Sequence, residues 1–339
     1  MIFDKSQIKI NMKKYIYKAI ILIVLTGVFS CNTENKKALP SVVGRAYELT
    51  VVIENNVWND LPGKLVREVL EQPVDYLPQP EAEFTISNVP HRAFTSIFKN
   101  HRNIVKVDIG NFKETGIAYK KDVWAFPQYV VVIKAKDYTE FEEIFNKSKD
   151  KLNKFFIDGE KERLKSSYLK APDDVLMKDI KEKYNVSLSV PAGYTLDVDS
   201  ANFAWLSHEE KNILQGIFIY TYPFVDTNTF TPDYLIAKRN EFLKKYVPST
   251  DEGSYMTTEM QLPVGFTEYE QDGEYYTKIL GLWRVHKGFM GGPFVSISTV
   301  DEKRNMVITV EGFVYYPKKK KRNLMKRMEV ICESLKTIE

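Results

Sequence analysis

Cysteine is almost missing from this chain: there are two in 339 residues, Cys31 and Cys332. That is too few for a disulfide framework, so the fold must rest on buried apolar cores. Histidine is nearly as scarce, and His91, His101, His208 and His286 never fall at the i, i+4 spacing of a helical zinc motif. With no acid at ligand spacing beside them, no metal centre is expected. The chain has no Gly-x-Ser-x-Gly turn for a serine nucleophile and no Gly-x-x-x-x-Gly-Lys loop for a phosphate. Adjacent acids such as Asp173-Asp174 and Glu209-Glu210 sit in surface-like segments and point apart, so no acid–base pair is legible. No catalytic residue and no cofactor is therefore expected. An excess of one charge is also lacking. The formal charge is +3, and the first 31 residues hold five lysines against one acid, so the remainder is near −1. This excludes a general nucleic-acid binder, which needs a clustered positive excess.

One long apolar run is present. Met12 to Cys31 reads MKKYIYKAIILIVLTGVFSC, with Lys13, Lys14 and Lys18 before an apolar stretch from Ala19 to Leu25. A cationic lead, a short apolar core and a small residue before a cut form the layout of a secretory signal peptide. The core is shorter than the roughly 20 residues a membrane span needs. Val28-Phe29-Ser30-Cys31 resembles a bacterial lipobox, which makes Cys31 the lipidated first residue of the mature protein. Residues 1 to 11 are not needed for this, so Met12 is a plausible start. The expected location is the cell envelope, anchored by lipid, with the outer membrane favoured.

After the signal peptide (1–31), the polar stretch 32–45 reads as a flexible tether. Alternation at Tyr47, Leu49, Val51 and Ile53 predicts a strand, and Asp60, Pro62 and the stripe Leu61, Leu65, Val66, Val69, Leu70 predict a helix. Strands follow near 83–88, 104–109 and 116–120. Tyr129 to Ala135 (YVVVIKA) has the β-branched run of a central strand. A helix from Tyr138 to about Phe156 is expected to break at Asp158-Gly159. A charged link then leads to a boundary near residue 178. The fold class is α+β, with two domains at 46–177 and 178–339, each a mainly antiparallel or mixed sheet with helices packed on it. In the second domain, Thr231-Pro232-Asp233 starts a helix that ends at Pro248. Asp272-Gly273 joins two strands as a hairpin. Strands at 294–300 and 306–315 and a closing helix through Leu324, Met328, Ile331, Leu335 and Ile338 complete it.

GSYMTTE (253–259), LWRVHKGFMGGPFVS (282–296) and EGFVYYP (311–317) resemble the signatures of a lipoprotein family of the Bacteroidota, domain of unknown function 4837. VVIENNVWN (51–59), LPQPEAEF (77–84) and PHRAFTSIFKNHRNI (90–104) extend the likeness over the first domain. The resemblance implies an envelope lipoprotein and supplies no catalytic residues. The second domain, with its strand into Val190-Pro191-Ala192-Gly193-Tyr194, inserted helix, meander and final helix, resembles the PsbP/Mog1 type. That resemblance implies a binding or assembly domain.

Gly288, Phe289, Met290, Gly291 and Gly292 form the candidate binding loop, because glycines permit an open loop that presents two apolar side chains. The competing reading tucks Phe289 and Met290 into the core. Lys318 to Arg322 (KKKKR) reads as a solvated turn, and Cys332 as a small hydrophobe on the last helix. The expected function is a non-catalytic binding or assembly module, attached to the membrane through Cys31, whose partner is an envelope protein, glycan or lipid. The alternatives are an envelope enzyme with an unrecognised active site and a structural component of an outer-membrane complex.

Overall fold

The computed structural model describes residues 38–170 and 172–338. The signal peptide and Cys31 lie outside the described residues. Of the stretch expected as tether, Pro40 to Val43 are instead held on the body. The Phe126 amide donates to the Pro40 carbonyl (2.8 Å), Val42 to Phe126 (3.1 Å) and Val43 to Asn100 (2.8 Å). An extended segment beside backbone groups that lack partners is drawn into pairing.

The first sheet has the order β2-β1-β3-β5-β4, built from β1 (Glu48–Val52), β2 (Thr85–Val89), β3 (Asn103–Ile109), β4 (Gly116–Lys121) and β5 (Tyr129–Ala135). Here β1 runs parallel to β2 and β3, and β3 to β5, while only β4 is antiparallel. The sheet is therefore mixed and mainly parallel. The apolar run of β5 places it between β3 and β4 with both faces buried. Helices α1 (Asn55–Trp58), α2 (Leu61–Leu70), α3 (Ser96–Lys99) and α4 (Tyr138–Lys170) complete the domain. Asp60 caps α2 and accepts from the Leu61 amide. Leu49, Val51 and Ile53 meet Val66, Leu70, Phe141, Phe145 and Phe156 in one core. On the other face Val52, Ile104 and Val130 pack under Phe94 and Trp124.

Helix α4 does not break at Asp158-Gly159 but continues for 33 residues. A Cβ at Gly159 would lie 2.7 Å from the Tyr129 ring, so this glycine permits close approach of helix to sheet and marks no stop. The expected charged link is in fact a packed half-helix. Glu160 is fully buried, accepting from Asn103 (2.6 Å) and from Arg163 (2.7 Å).

Helix α5 (Asp174–Tyr184) follows, and its Leu176, Ile180 and Tyr184 pack in the second domain's core. It thus belongs with the second domain, although its first turn lies within the span assigned above to the first. The second domain is an antiparallel sheet of order β10-β12-β13-β14-β9-β8-β7, with β11 also on β12. Its main strands are β7 (Thr195–Ser200), β8 (Phe203–Glu210), β9 (Ile213–Pro223), β10 (Tyr255–Thr258), β11 (Gly265–Gln271), β12 (Glu274–His286), β13 (Gly291–Asp301) and β14 (Met306–Tyr315). A small pair, β6 (Val186–Ser187) and β15 (Lys336–Thr337), lies beside it. Both faces are covered. On β9, Phe218, Tyr220 and Tyr222 face α6 (Pro232–Tyr246), while Ile217 and Ile219 face α7 (Arg322–Cys332). Strands β7 and β10 went unread in the sequence because their apolar residues are few, and β8 because its apolar run, Phe203 to Leu206, gives way at once to Ser207, His208, Glu209 and Glu210. The closing helix is shorter than expected: Leu335 follows it, and Ile338 comes after β15.

Gly159→Ala gives a sign test. In an exposed helix interior the change would stabilise by about 1 kcal/mol. Against the Tyr129 ring it should destabilise by about 1–3 kcal/mol, as overpacking does, and a urea melt measures the difference.

Candidate functional site

The candidate loop is the tip of the β12–β13 hairpin. The Val285 amide donates to the Met290 carbonyl (2.9 Å) and the Gly288 amide to the Val285 carbonyl (3.2 Å). Phe289 is fully exposed and Met290 is exposed in part. The glycines do another job than the one expected. Gly291 and Gly292 belong to β13, opposite Arg284 and Trp283. A Cβ at Gly292 would lie 2.1 Å from the Val314 carbonyl, and one at Gly288 would lie 2.7 Å from Val285. None of the three has a positive φ; Lys287, at 61°, makes the turn. They are sites of close approach, not of mobility, so the tip is a tight hairpin that pushes one phenylalanine outward. Nearby, His286 stacks on Tyr255 at 4.8 Å, and Lys244 lies 5.5 Å from the same ring.

The remaining histidines are tied to structure. His91 holds Glu54 (3.0 Å) and Asp108 (2.7 Å), one with each ring nitrogen. His101 meets Thr50 Oγ1 at 2.6 Å, and burial pushes its pKa down. His208 contacts the Gly193 carbonyl at 2.7 Å. Among the described residues no three His, Cys, Asp or Glu side chains converge as a metal site. Cys332 is buried, and burial pushes its thiol well up, the opposite of a reactive cysteine.

Besides the Glu160–Arg163 contact, sequence reasoning missed ionic centres of which two hold the second domain. In the first, Arg239 of α6 donates to both oxygens of Glu311 on β14 (2.8 and 2.7 Å) and to Thr258 on β10 (2.8 Å). Its guanidinium lies 3.8 Å from the Phe294 ring centre. Both charged side chains are essentially without solvent exposure. Burial pushes the Glu311 carboxyl up, although Arg239 opposes the shift. Thr258, Phe294 and Glu311 each come from one of the three second-domain motifs, so the motifs meet at one buried pair.

The second centre joins the domains, and it corrects the reading of the basic run. Lys318 to Lys320 are exposed, but Lys321 and Arg322 are buried. Glu81 accepts from the Lys321 amide (2.6 Å) and the Arg322 amide (3.1 Å), so a first-domain carboxylate caps α7. Arg322 also donates to the Ala82 carbonyl (2.5 Å). Farther along α7, Lys326 pairs with Glu83 at 3.1 Å. Lys161 of α4 pairs with Glu333 (2.8 Å), and Lys278 of β12 pairs with Glu329 and Glu333. Burial alone would raise the Glu329 carboxyl. The charges of Lys278, Lys326 and Lys161 outweigh it and hold the pKa at about 2.

Because the folded value lies below that of the unfolded chain, the contribution of Glu329 is complete above about pH 4.5. It is lost as pH falls toward 2. Glu329→Gln should lower stability at neutral pH and flatten the acid limb of the stability curve in that window. Urea melts at stepped pH check this, and a parent-like acid limb in the variant would contradict it.

Comparison with known proteins gives two domain families and distant structural likenesses. No curated protein matches the chain. Among solved structures, the Ran-binding protein Mog1p of Saccharomyces cerevisiae aligns at 8% identity and TM-score 0.30, over 46% of this chain and 91% of that one. A point mutant of the protein Mog1 aligns at 10% identity and TM-score 0.27 (44% and 85%). Human STARD10 aligns at 13% identity and TM-score 0.23 (48% and 80%). The first-domain motifs fall in a different family from those of the second. Residues 42–169 match the domain of unknown function DUF8532, and residues 173–334 match the domain of unknown function DUF4837.

Proposed function

We propose that this is a lipid-anchored envelope protein of the bacterial lipoprotein kind that binds a partner and catalyses no reaction. Phe289 carries the reading. Full burial of a phenylalanine is worth about 1.5–3 kcal/mol, yet this one stands in solvent at the tip of a tight hairpin. With Tyr255, His286 and Lys244 near its base, the tip has the aromatic and cationic character common at recognition surfaces. The partner is an envelope protein, glycan or lipid. The non-catalytic reading takes in two of the interior carboxylates, Glu311 and Glu329. A general acid or base needs a free group that titrates near the working pH. Glu311 is clamped by Arg239, and Glu329 is held at about 2 by three lysines. The anchor rests on the sequence layout around Cys31.

Phe289→Ala should change stability by no more than about 0.5 kcal/mol, as surface changes do, while capture of partners from the native envelope falls strongly. A large drop in melting temperature with unchanged capture would make the tip plain architecture. Cys31→Ala should move the protein from the membrane pellet to the soluble fraction, since stable anchoring takes two or more lipid chains. A variant that pellets like the parent removes the anchor from the proposal.

A further inference from the structure

A pocket of about 350 Å³ lies where the end of α4, the loop from Pro191 to Tyr194 and α7 meet the second-domain sheet. The volume is within the range of small-molecule sites. Leu164, Pro191, Met328 and Ile331 supply apolar wall, and Tyr168 and Tyr194 supply aromatic wall. The loop is the Pro-Ala-Gly-Tyr turn that stands out in the sequence and that the hairpin tip does not use.

Two polar side chains of the lining are open and unpaired. Gln215 of β9 lies on the α7 side of the sheet, in step with Ile217 and Ile219. It is only 6% exposed. Its amide has no hydrogen-bond partner among the described residues, yet neither polar atom is sealed from solvent. Buried polar groups are almost always paired, so an amide left bare in a pocket wall leaves that pairing to an occupant. Arg327 of α7 is exposed and forms no salt bridge among the described residues. Its neighbours one helical turn away, Asn323, Leu324, Val330 and Ile331, carry no charge to pair with it. Its guanidinium is felt inside the pocket. It lowers the Tyr168 and Tyr194 phenols, although burial outweighs it and pushes Tyr168 up to about 12 and Tyr194 well up.

No carboxylate lines the pocket. His208, opposite Gln215 across β8 and β9, turns Nδ1 to the Gly193 carbonyl (2.7 Å) and Nε2 toward Glu210 (3.3 Å), an acid outside the lining. The one permanent charge in the lining is therefore positive. An exposed arginine alone means little, but this one shares its pocket with a bare, buried amide.

We propose that this pocket binds a small monocarboxylate with a flat apolar body, its carboxylate on the Arg327 guanidinium and the Gln215 amide and its body against Pro191, Tyr194 and Met328. A guanidinium fork matches a carboxylate with two parallel hydrogen bonds, and the amide NH₂ adds a third donor. An amine would meet Arg327 with no acid in the lining to offset the repulsion. Phe289 and Met290 take no part, so this site and the hairpin tip can fail separately.

Isothermal titration of the full chain with phenylacetate, phenethyl alcohol and phenethylamine tests the proposal. Phenylacetate should bind saturably, at least about tenfold tighter than phenethyl alcohol, the difference that one charge-assisted hydrogen bond supplies. Phenethylamine should not bind. Arg327→Gln, a surface change that the fold tolerates, should weaken phenylacetate about tenfold and leave phenethyl alcohol unchanged. Gln215→Met, of similar size, should weaken phenylacetate by about threefold to tenfold, as loss of one hydrogen bond does. Absence of saturable phenylacetate binding, phenethyl alcohol or phenethylamine binding as tightly, or parent-like phenylacetate binding by either variant would overturn the proposal.

Discussion

A carboxylate placed inside a core must be paired, and in this protein that requirement organises the larger domain. Glu311 sits on a central strand under α6, and Arg239 meets it with two nearly parallel hydrogen bonds. The third bond, to Thr258, ties in the edge strand β10. Removing one partner of such a pair costs about 3–5 kcal/mol because a bare charge is left in the core. Apolar residues of similar size could pack as tightly. What the pair adds is direction, since its three hydrogen bonds are met at one register of helix on sheet.

The same logic works at lower burial between the domains. LPQPEAEF is a docking segment read residue by residue. Leu77 packs on the second core, Glu81 caps α7, Ala82 accepts from Arg322, Glu83 pairs with Lys326, and Phe84 returns to the first core. The interface therefore depends on directed contacts at α7 and not on apolar area alone. This explains why a run of four lysines and an arginine ends buried: its last two members belong to an interface that a linear reading cannot see.

What could be read from the sequence was whatever local periodicity encodes. β1, α2, β5, α6 and the β11–β12 hairpin follow from alternation, caps and turn residues, and each forms where expected. Glycine misled twice for one reason. At Gly159 and at Gly292 the residue serves contacts with Tyr129 and Val314, distant in sequence, so its local meaning as a breaker or a loose joint was wrong. The parallel pairing of the first sheet was equally hidden, because strand direction is settled by crossovers and leaves little trace in composition. Exposure of Phe289 was one of two outcomes the sequence allowed. The Arg239–Glu311 pair left no local signal, although the motifs that resemble DUF4837 contain three of its participants.

The unbroken α4 has a mechanical consequence. At about 1.5 Å per residue its 33 residues extend some 50 Å. Its Phe141, Phe145 and Phe156 pack in one domain, and Tyr168 near its end packs in the other. A beam set into two blocks resists bending at their joint, so the blocks cannot swing apart like the jaws of a clamp. The space between them is a fixed mould.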